Sequence, residues 1–264
     1  MKIVIFDLDE TLGYFVEFGM FWDSLNKYIF ENNFSEESKN IDFNRTLDLY
    51  PEFIRPNIIP ILNYLKYKKN SKCCNKLLIY TNNQGGEFWS SKLIAYFEKK
   101  IKTTLFDQII SAFKINGKRM EICRTSHDKT YHDLIKCSKI PLHAEICYLD
   151  DTYFPKMSNK NVYYIHVKPY IHDLAFEEMI TRYQDSGLGV SFIKKDFKDN
   201  MLKYMNNYLF TYTPKTHEEI EVDKVVSKEI MIHLQHFFKH PISKNKKTKQ
   251  RNGYKVANKT RKRY

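Results

Sequence analysis

The chain has few cysteines, and their arrangement does not suggest a scaffold built on them. Five cysteines among 264 residues form no C-x-x-C pair, and an odd number cannot all pair within one chain. A disulfide framework or a zinc site is therefore not expected, and an intracellular, cytoplasmic or nuclear location fits better, in a protein of cellular or viral origin. The sequence also lacks a bilayer-length apolar run and a signal-peptide pattern, so no membrane partner is expected.

Acidic residues are missing from one end of the chain. Residues 244–264 contain ten Lys or Arg and no Asp or Glu. Without them, 33 basic residues face 31 acidic ones, so most of the net charge of +12 belongs to this segment. We predict a disordered tail over residues 241–264 because the segment has no apolar cluster. Two interpretations stay open: a solvated extension, or an arm that contacts nucleic acid or another anionic partner.

Patterns typical of buried strands alternate with helical patterns through the predicted core, residues 1–185. Strands are predicted at 2–6, 76–80, 106–113, 145–149 and 161–167, and helices at 21–32, 58–68, 87–100, 129–137 and 174–184. Strands separated by helices form βαβ units, so we expect an α/β fold with a Rossmann-like parallel sheet sandwiched by helices. Two amphipathic patterns, at 197–210 and 222–239, predict a helical extension over residues 186–240.

Carboxylates follow two of the predicted strands. Asp7 and Asp9 come after "IVIF", and Asp150 and Asp151 come after "EICYL". Because the carboxyl ends of parallel strands meet at one edge of a sheet, we expect these four side chains to converge. Crowded carboxylates repel one another unless a cation lies between them, and Mg²⁺ takes such oxygen ligands together with a substrate phosphate.

A hydroxyl and a lysine are expected at the same edge. Thr81 follows the strand at 76–80 in "TNNQGG", where a Gly-Gly turn opens a helix and exposes backbone N–H groups to an anion. Lys129 begins the helix predicted at 129–137. Together with the four carboxylates, these residues predict a site for a phosphate and a hard cation.

In their order along the chain, these residues resemble the motifs of the haloacid dehalogenase-like superfamily of aspartate-nucleophile phosphotransferases. "DLDETL" and the Arg55-Pro56 pair in "FIRPNIIPILNYL" resemble one branch in particular, the NLI-interacting-factor-like phosphatases, which include RNA polymerase II carboxy-terminal-domain phosphatases. The resemblance covers about residues 1–185. It implies a Mg²⁺-dependent phosphatase whose core carries a small cap or none.

The resemblance also implies residue roles. Asp7 would attack phosphorus and form an aspartyl-phosphate, and Asp9 would protonate the leaving oxygen and then activate water. Substrate-binding roles fall to Thr11, Thr81, Asn82 and Lys129, and metal-binding roles to Asp7, Asp9 (through its backbone carbonyl), Asp150 and Asp151. Asp151 is expected to be the direct metal ligand, with Asp150 acting through water or orienting the lysine.

Two of these assignments leave alternatives open. The branch often places its lysine directly before an Asp-Leu pair, where this chain has His132. Lys129 lies three residues earlier, and Lys118 in "INGKR" is a further candidate. Asn82 is either a phosphate donor or a cap of the following helix.

The intervals between the motifs favour an open site. Both the stretch from Asp7 to Thr81 and the stretch from Thr81 to Lys129 hold pieces of the core, which leaves no room for a large lid. A bulky substrate is therefore expected, with a Ser/Thr phosphoprotein favoured. The alternatives are a nucleic-acid end phosphatase recruited by the basic tail and a non-catalytic binding module. The aromatic segment 13–22, "GYFVEFGMFW", is expected to pack over the strand ends, or else to form a flap that contacts substrate.

Overall fold

A parallel sheet forms the centre of the fold in a computed structural model that describes residues 1–32, 34, 41–85 and 88–242. The described strands are β1 (Lys2–Phe6), β2 (Lys76–Tyr80), β3 (Gln108–Ile110), β4 (Lys114–Ile115), β5 (Lys118–Arg119), β6 (Glu145–Asp150) and β7 (Val162–His166). Five of them form the parallel sheet, in the order β3-β2-β1-β6-β7, and β4 and β5 form a separate antiparallel hairpin. The predicted Rossmann-like α/β fold is confirmed. Of the predicted disordered tail, residues 241–264, only Pro241 and Ile242 lie among the described residues.

Helices connect the strands and cover the sheet. Those described are α1 (Val16–Glu31), α2 (Phe43–Leu47), α3 (Ile58–Asn70), α4 (Trp89–Ile101), α5 (Tyr131–Ser138), α6 (Phe176–Asp185), α7 (Phe197–Asn206) and α8 (His217–Lys239). The short helix α2, which the sequence patterns did not predict, begins after Asp42, whose carboxylate accepts hydrogen bonds from the next turn. The predicted start of α4 at residue 87 and the second glycine of the Gly-Gly turn lie outside the described residues. No helix in the described ranges combines the length and apolar character needed to cross a bilayer.

The central strand β1 is buried on both faces. Ile3 and Ile5 pack into a smaller apolar layer that includes Leu134 of α5. Val4 and Phe6 pack into a larger layer built mainly from the other helices. This alternation follows from the two-residue period of a strand, and burial on both faces explains why β1 reads as a continuous apolar run.

The aromatic segment 13–22 belongs to the larger layer. Phe15, Phe18 and Phe21 are almost fully buried, and Trp22 is 7% exposed. Phe18 also makes an edge-to-face contact with Phe43 of α2, with ring centroids 5.3 Å apart. Because these rings fill the core beside the strand ends, the structure supports the packing interpretation and not the flap.

The helices after residue 185 pack on this core. Leu234 and Phe237 of α8 are buried in the same apolar cluster as Val4 of β1. The start of α8 is fixed by Thr216, whose hydroxyl and backbone N–H exchange hydrogen bonds with Glu219 in a capping box. The helical extension therefore shares its apolar core with the sheet, while the boundary at residue 185 stays a prediction.

One pair of cysteines is joined, against expectation. Cys123, in the segment after β5, forms a disulfide with Cys137 of α5. The prediction that the chain lacks disulfides is wrong for this pair, although Cys73, Cys74 and Cys147 are free. The pairing depends on how α5 folds back against the segment after β5, so no local spacing pattern signals it. The cysteines therefore no longer argue for a reducing compartment.

The shared core predicts a large effect of truncation in α8. Leu234→Ala should lower the free energy of unfolding by about 2–5 kcal/mol, because the side chain is fully buried and the cavity refills only partly. Ile232→Ala, on the exposed side of the same helix, should change it by less than about 0.5 kcal/mol. Urea titration measures both values. Equal small effects would show that α8 is not part of the cooperative core.

Candidate functional site

Three adjacent strands deliver polar side chains to one edge of the sheet. Asp7 directly follows β1, and its N–H donates to the Leu149 carbonyl oxygen at 2.8 Å. Thr81 directly follows β2, and Asp150 is the last residue of β6. Because β2 and β6 flank β1, their carboxyl ends meet. The cleft between them has a volume of about 270 Å³ and is lined by Asp7, Asp9, Glu10, Thr81, Asn82, Asn83, Asp151 and Thr152.

Lys129 lies beneath this cleft as its buried cation. Its Nζ is 2.8 Å from Asp7 Oδ1 and 2.7 Å from Asp150 Oδ2, and the residue is 1% exposed. Burial lowers the pKa of Lys129, but the two carboxylates outweigh it and raise the pKa above the usual value, so the ammonium stays charged. Of the three candidates for the motif, His132 is exposed on α5 and Lys118 is exposed in the hairpin. Lys129 is therefore the candidate that the fold brings to Asp7.

The two neighbouring aspartates have different surroundings. Asp150 accepts hydrogen bonds from the Tyr148 hydroxyl at 2.5 Å and the Thr152 N–H at 2.9 Å, in addition to Lys129. Asp151 accepts a hydrogen bond from the Thr11 hydroxyl at 3.1 Å and lines the cleft. Asp150 is thus saturated by protein donors, whereas Asp151 faces the cleft. Thr11, predicted to contact substrate, is 1% exposed and orients Asp151 from behind.

Two carboxyl groups of the cleft hold protons more tightly than usual. Burial raises the pKa of Asp9 to about 7, the charge on Asp7 adds to the rise, and a 2.7 Å hydrogen bond from Asn83 opposes it. Burial also raises the pKa of Asp151 to about 7, with additional rises from the charges on Asp7 and Asp150. Both carboxyl groups are therefore partly protonated near neutral pH.

The donor set fits a hard divalent cation. Asp7, Asp150 and Asp151 each offer a carboxylate oxygen, and these oxygens lie within 4.8 Å of one another. Hard cations take oxygen ligands, and a cation here would offset both the burial of the Asp151 carboxylate and its repulsion by Asp7 and Asp150, which together raise its pKa. Since Lys129 and its neighbours already engage Asp150, Asp7 and Asp151 are the better side-chain ligands.

The loop after β2 presents a hydroxyl and a fixed amide. The Thr81 hydroxyl oxygen accepts a hydrogen bond from the Asn83 N–H at 2.9 Å, which leaves its hydrogen for an acceptor in the cleft. The Asn82 side chain accepts from Arg124 at 2.7 Å and donates to the His127 carbonyl oxygen at 2.9 Å. Asn82 therefore ties the loop to the segment before Lys129. It does not cap α4, whose N-cap residue is Phe88.

Two buried arginines hold the walls of the cleft, and sequence reasoning gave neither of them a role. Arg55 donates to the carbonyl oxygens of Thr11 at 2.6 Å and Glu10 at 2.5 Å. Arg124 donates to those of Thr81 at 2.9 Å and Ser111 at 2.8 Å, besides its bond to Asn82. The Arg55-Pro56 pair was visible as a motif, but nothing in "ICRTSHDK" marks Arg124. Asn83, which holds Asp9, lies in the "TNNQGG" motif but had no role of its own assigned.

The raised pKa of Asp151 predicts a pH-dependent cost to stability in metal-free protein. The Asp151 carboxyl has a pKa of 3.8 in the unfolded chain and about 7 in the folded protein, so the folded state binds its proton more tightly. This proton stabilises the folded state at low pH, and the stabilisation is lost as the pH rises from about 4 to about 7. Asp151→Asn removes the cost, so at pH 8 with EDTA its melting temperature should exceed that of the unchanged protein by at least about 2 °C. At pH 4 the two should melt together.

Added Mg²⁺ supplies the control for this experiment. It should raise the melting temperature of the unchanged protein at pH 8 and raise that of Asp151→Asn less, because the variant has lost one anionic ligand. A variant that melts lower than the unchanged protein at pH 8 in EDTA would contradict the electrostatic account of Asp151.

Comparison of the chain with protein-family models, with curated proteins and with solved structures finds no match. Assignment of a function therefore depends on the motifs in the sequence and on the geometry of the cleft.

Proposed function

We propose that this protein is a Mg²⁺-dependent phosphatase of the haloacid dehalogenase-like type, which hydrolyses phosphomonoesters through an aspartyl-phosphate on Asp7. The observation that carries the proposal is the environment of Asp7. It lines an open cleft, it is ion-paired to the buried Lys129, and Asp9 and Thr81 line the same cleft. A nucleophile, a second carboxyl and two donors thus surround one space large enough for a phosphoryl group.

Asp7 and Asp9 divide the chemistry. A carboxylate oxygen of Asp7 attacks phosphorus, and the bond from phosphorus to the ester oxygen breaks. Asp9, whose pKa of about 7 keeps part of its population protonated near neutral pH, donates its proton to the departing oxygen. The Asp9 carboxylate then takes a proton from water, the water oxygen attacks phosphorus, and the bond to Asp7 breaks to release phosphate.

Lys129 and Thr81 stabilise the transferring group. The ammonium of Lys129 lies 2.8 Å from Asp7, so it also lies close to the phosphoryl oxygens of a group bonded to that carboxylate. The hydroxyl hydrogen of Thr81, which lines the cleft, supplies a second donor. Asp150 positions the lysine, since it holds Nζ at 2.7 Å and is itself fixed by Tyr148.

The proposed cofactor is Mg²⁺, held by the carboxylates of Asp7 and Asp151 and the backbone carbonyl of Asp9. When bound, it neutralises negative charge on the phosphoryl group and on the crowded carboxylates. The same crowding is the reason to prefer an enzyme over a binding module with this fold. Carboxyl groups with pKa values raised to about 7 destabilise the metal-free protein, and a scaffold gains nothing from that cost.

Two matched substitutions test the nucleophile. Asp7→Asn should reduce hydrolysis of a small aryl phosphate by at least about 10³-fold, because an amide cannot form the acyl-phosphate. Asp9→Asn should also lose turnover but retain slow incorporation of phosphate into the protein, which intact-mass measurement in the presence of substrate detects. The exposed Asp185→Asn, at the end of α6, is the control and should keep full activity. Near-normal turnover by Asp7→Asn would overturn the mechanism.

A further inference from the structure

The β4–β5 hairpin extends from the sheet edge that carries the cleft. It follows β3, whose carboxyl end lies beside that of β2. Two contact chains connect it to the cleft. In the first, the Phe113 ring packs edge-on against His127, and the His127 carbonyl oxygen accepts a hydrogen bond from Asn82. In the second, Arg119 donates to the Arg124 carbonyl oxygen at 2.8 Å, and the Arg124 side chain donates to Asn82. The hairpin is therefore a neighbour of the cleft wall although it does not line the cleft.

Cations dominate this hairpin. We call residues 113–119 the basic hairpin; its cations are Lys114, Lys118 and Arg119, and all three are exposed. Among the described residues none of the three forms an ion pair. Glu121 is the one acidic residue between positions 111 and 124. The basic hairpin therefore places three cations that have no carboxylate partner among the described residues close to a phosphate-sized cleft.

Two of these cations are held in place. The Lys114 ammonium and the Arg119 guanidinium each lie 5.3 Å from the centre of the Phe113 ring. One nitrogen of Arg119 also donates to the carbonyl oxygens of Ile122 and Arg124, at 2.9 Å and 2.8 Å. A guanidinium has five N–H donors, so three remain for an anion. Cations fixed against an aromatic ring lose little side-chain entropy when they bind a phosphate.

We propose that the basic hairpin binds the backbone of a single-stranded nucleic acid whose terminal phosphate enters the cleft. The proposal rests on the proposed phosphatase function and specifies its substrate class. A nucleic acid carries a phosphate at every nucleotide, so fixed cations beside the cleft meet the next phosphates whatever the base sequence. A phosphopeptide supplies acidic groups only where its own sequence has them. Arg119 over the Phe113 ring, beside the 78% exposed Ile122, also provides flat surface for bases.

The test compares substrates and matched charge-removing variants in the full chain. Lys114→Ser with Lys118→Ser removes two cations and leaves the backbone contacts of Arg119 intact. Turnover of a 3′- or 5′-phosphorylated single-stranded oligonucleotide should fall about tenfold or more in kcat/KM, while turnover of a small aryl phosphate stays unchanged. Lys198→Ser with Lys203→Ser, on the exposed side of α7, makes the same charge change away from the cleft and should leave both substrates unaffected.

Salt dependence gives a second readout. Loss of two phosphate contacts should reduce the slope of log affinity against log salt by about 1.4, at about 0.7 per contact in a single strand. Fluorescence anisotropy with a labelled oligonucleotide measures this slope without turnover. If the oligonucleotide binds through the basic hairpin but no aryl phosphate is hydrolysed, the docking surface stands and the phosphatase proposal fails.

Other results overturn the docking proposal itself. Equal losses in the α7 control would show a general effect of net charge. If the hairpin variant turns over the oligonucleotide normally, the basic hairpin is not its docking surface. If phosphoserine peptides are hydrolysed and oligonucleotides are neither bound nor hydrolysed, the substrate is a phosphoprotein.

Discussion

The repulsion among carboxylates at the ends of β1 and β6 is the constraint on which the rest of the site depends. Parallel topology forces Asp7 and Asp150 together, because β1 and β6 are paired in register with Phe6 opposite Leu149. The protein offsets part of this repulsion with Lys129, buried between the two carboxylates. Burial raises the pKa values of Asp9 and Asp151 to about 7, and the charge on Asp7 adds to both rises. The clustered carboxylate oxygens of Asp7, Asp150 and Asp151 are what makes the cleft suited to a hard metal ion.

The supporting structure follows from the need to hold these charges still. Asp150, which holds Lys129, accepts hydrogen bonds from the Tyr148 hydroxyl and the Thr152 N–H, and Asp151 accepts one from the Thr11 hydroxyl. Each wall of the cleft is then held through backbone carbonyl oxygens. Arg55 donates to a carbonyl oxygen of the loop after β1, and Arg124 donates to one of the loop after β2. Each guanidinium thus supplies a hydrogen bond to a buried backbone oxygen that has no partner among the described residues of its own loop. Leu8 and Leu12 of the loop after β1 also pack into the larger apolar layer.

The sequence predicted what depends on local pattern. The limits of β1 and β2 were predicted to the residue, because a short apolar run with polar neighbours on both sides is typical of a buried strand. The strand predicted at 106–113 is only Gln108–Ile110, since the remaining apolar residues pack in loops around the edge strand. The four aspartates and Thr81 were also anticipated from the order of the motifs, whereas Lys129 was one of three candidates that the sequence left open. The roles of Arg124 and Asn83 and the Cys123–Cys137 disulfide depend on contacts between segments far apart in sequence, which no local pattern encodes.

The position of Cys123 links that disulfide to the cleft. Cys123 directly precedes Arg124, and its partner Cys137 lies in α5, the helix that Lys129 precedes by two residues. The bond therefore joins the segment that holds Thr81 and Asn82 to the helix that follows the buried lysine. The basic hairpin is attached to the same segment through Arg119, which donates to the Arg124 carbonyl oxygen. One short stretch of chain after β5 thus connects the loop after β2, the lysine of the candidate site and the exposed cations beside it.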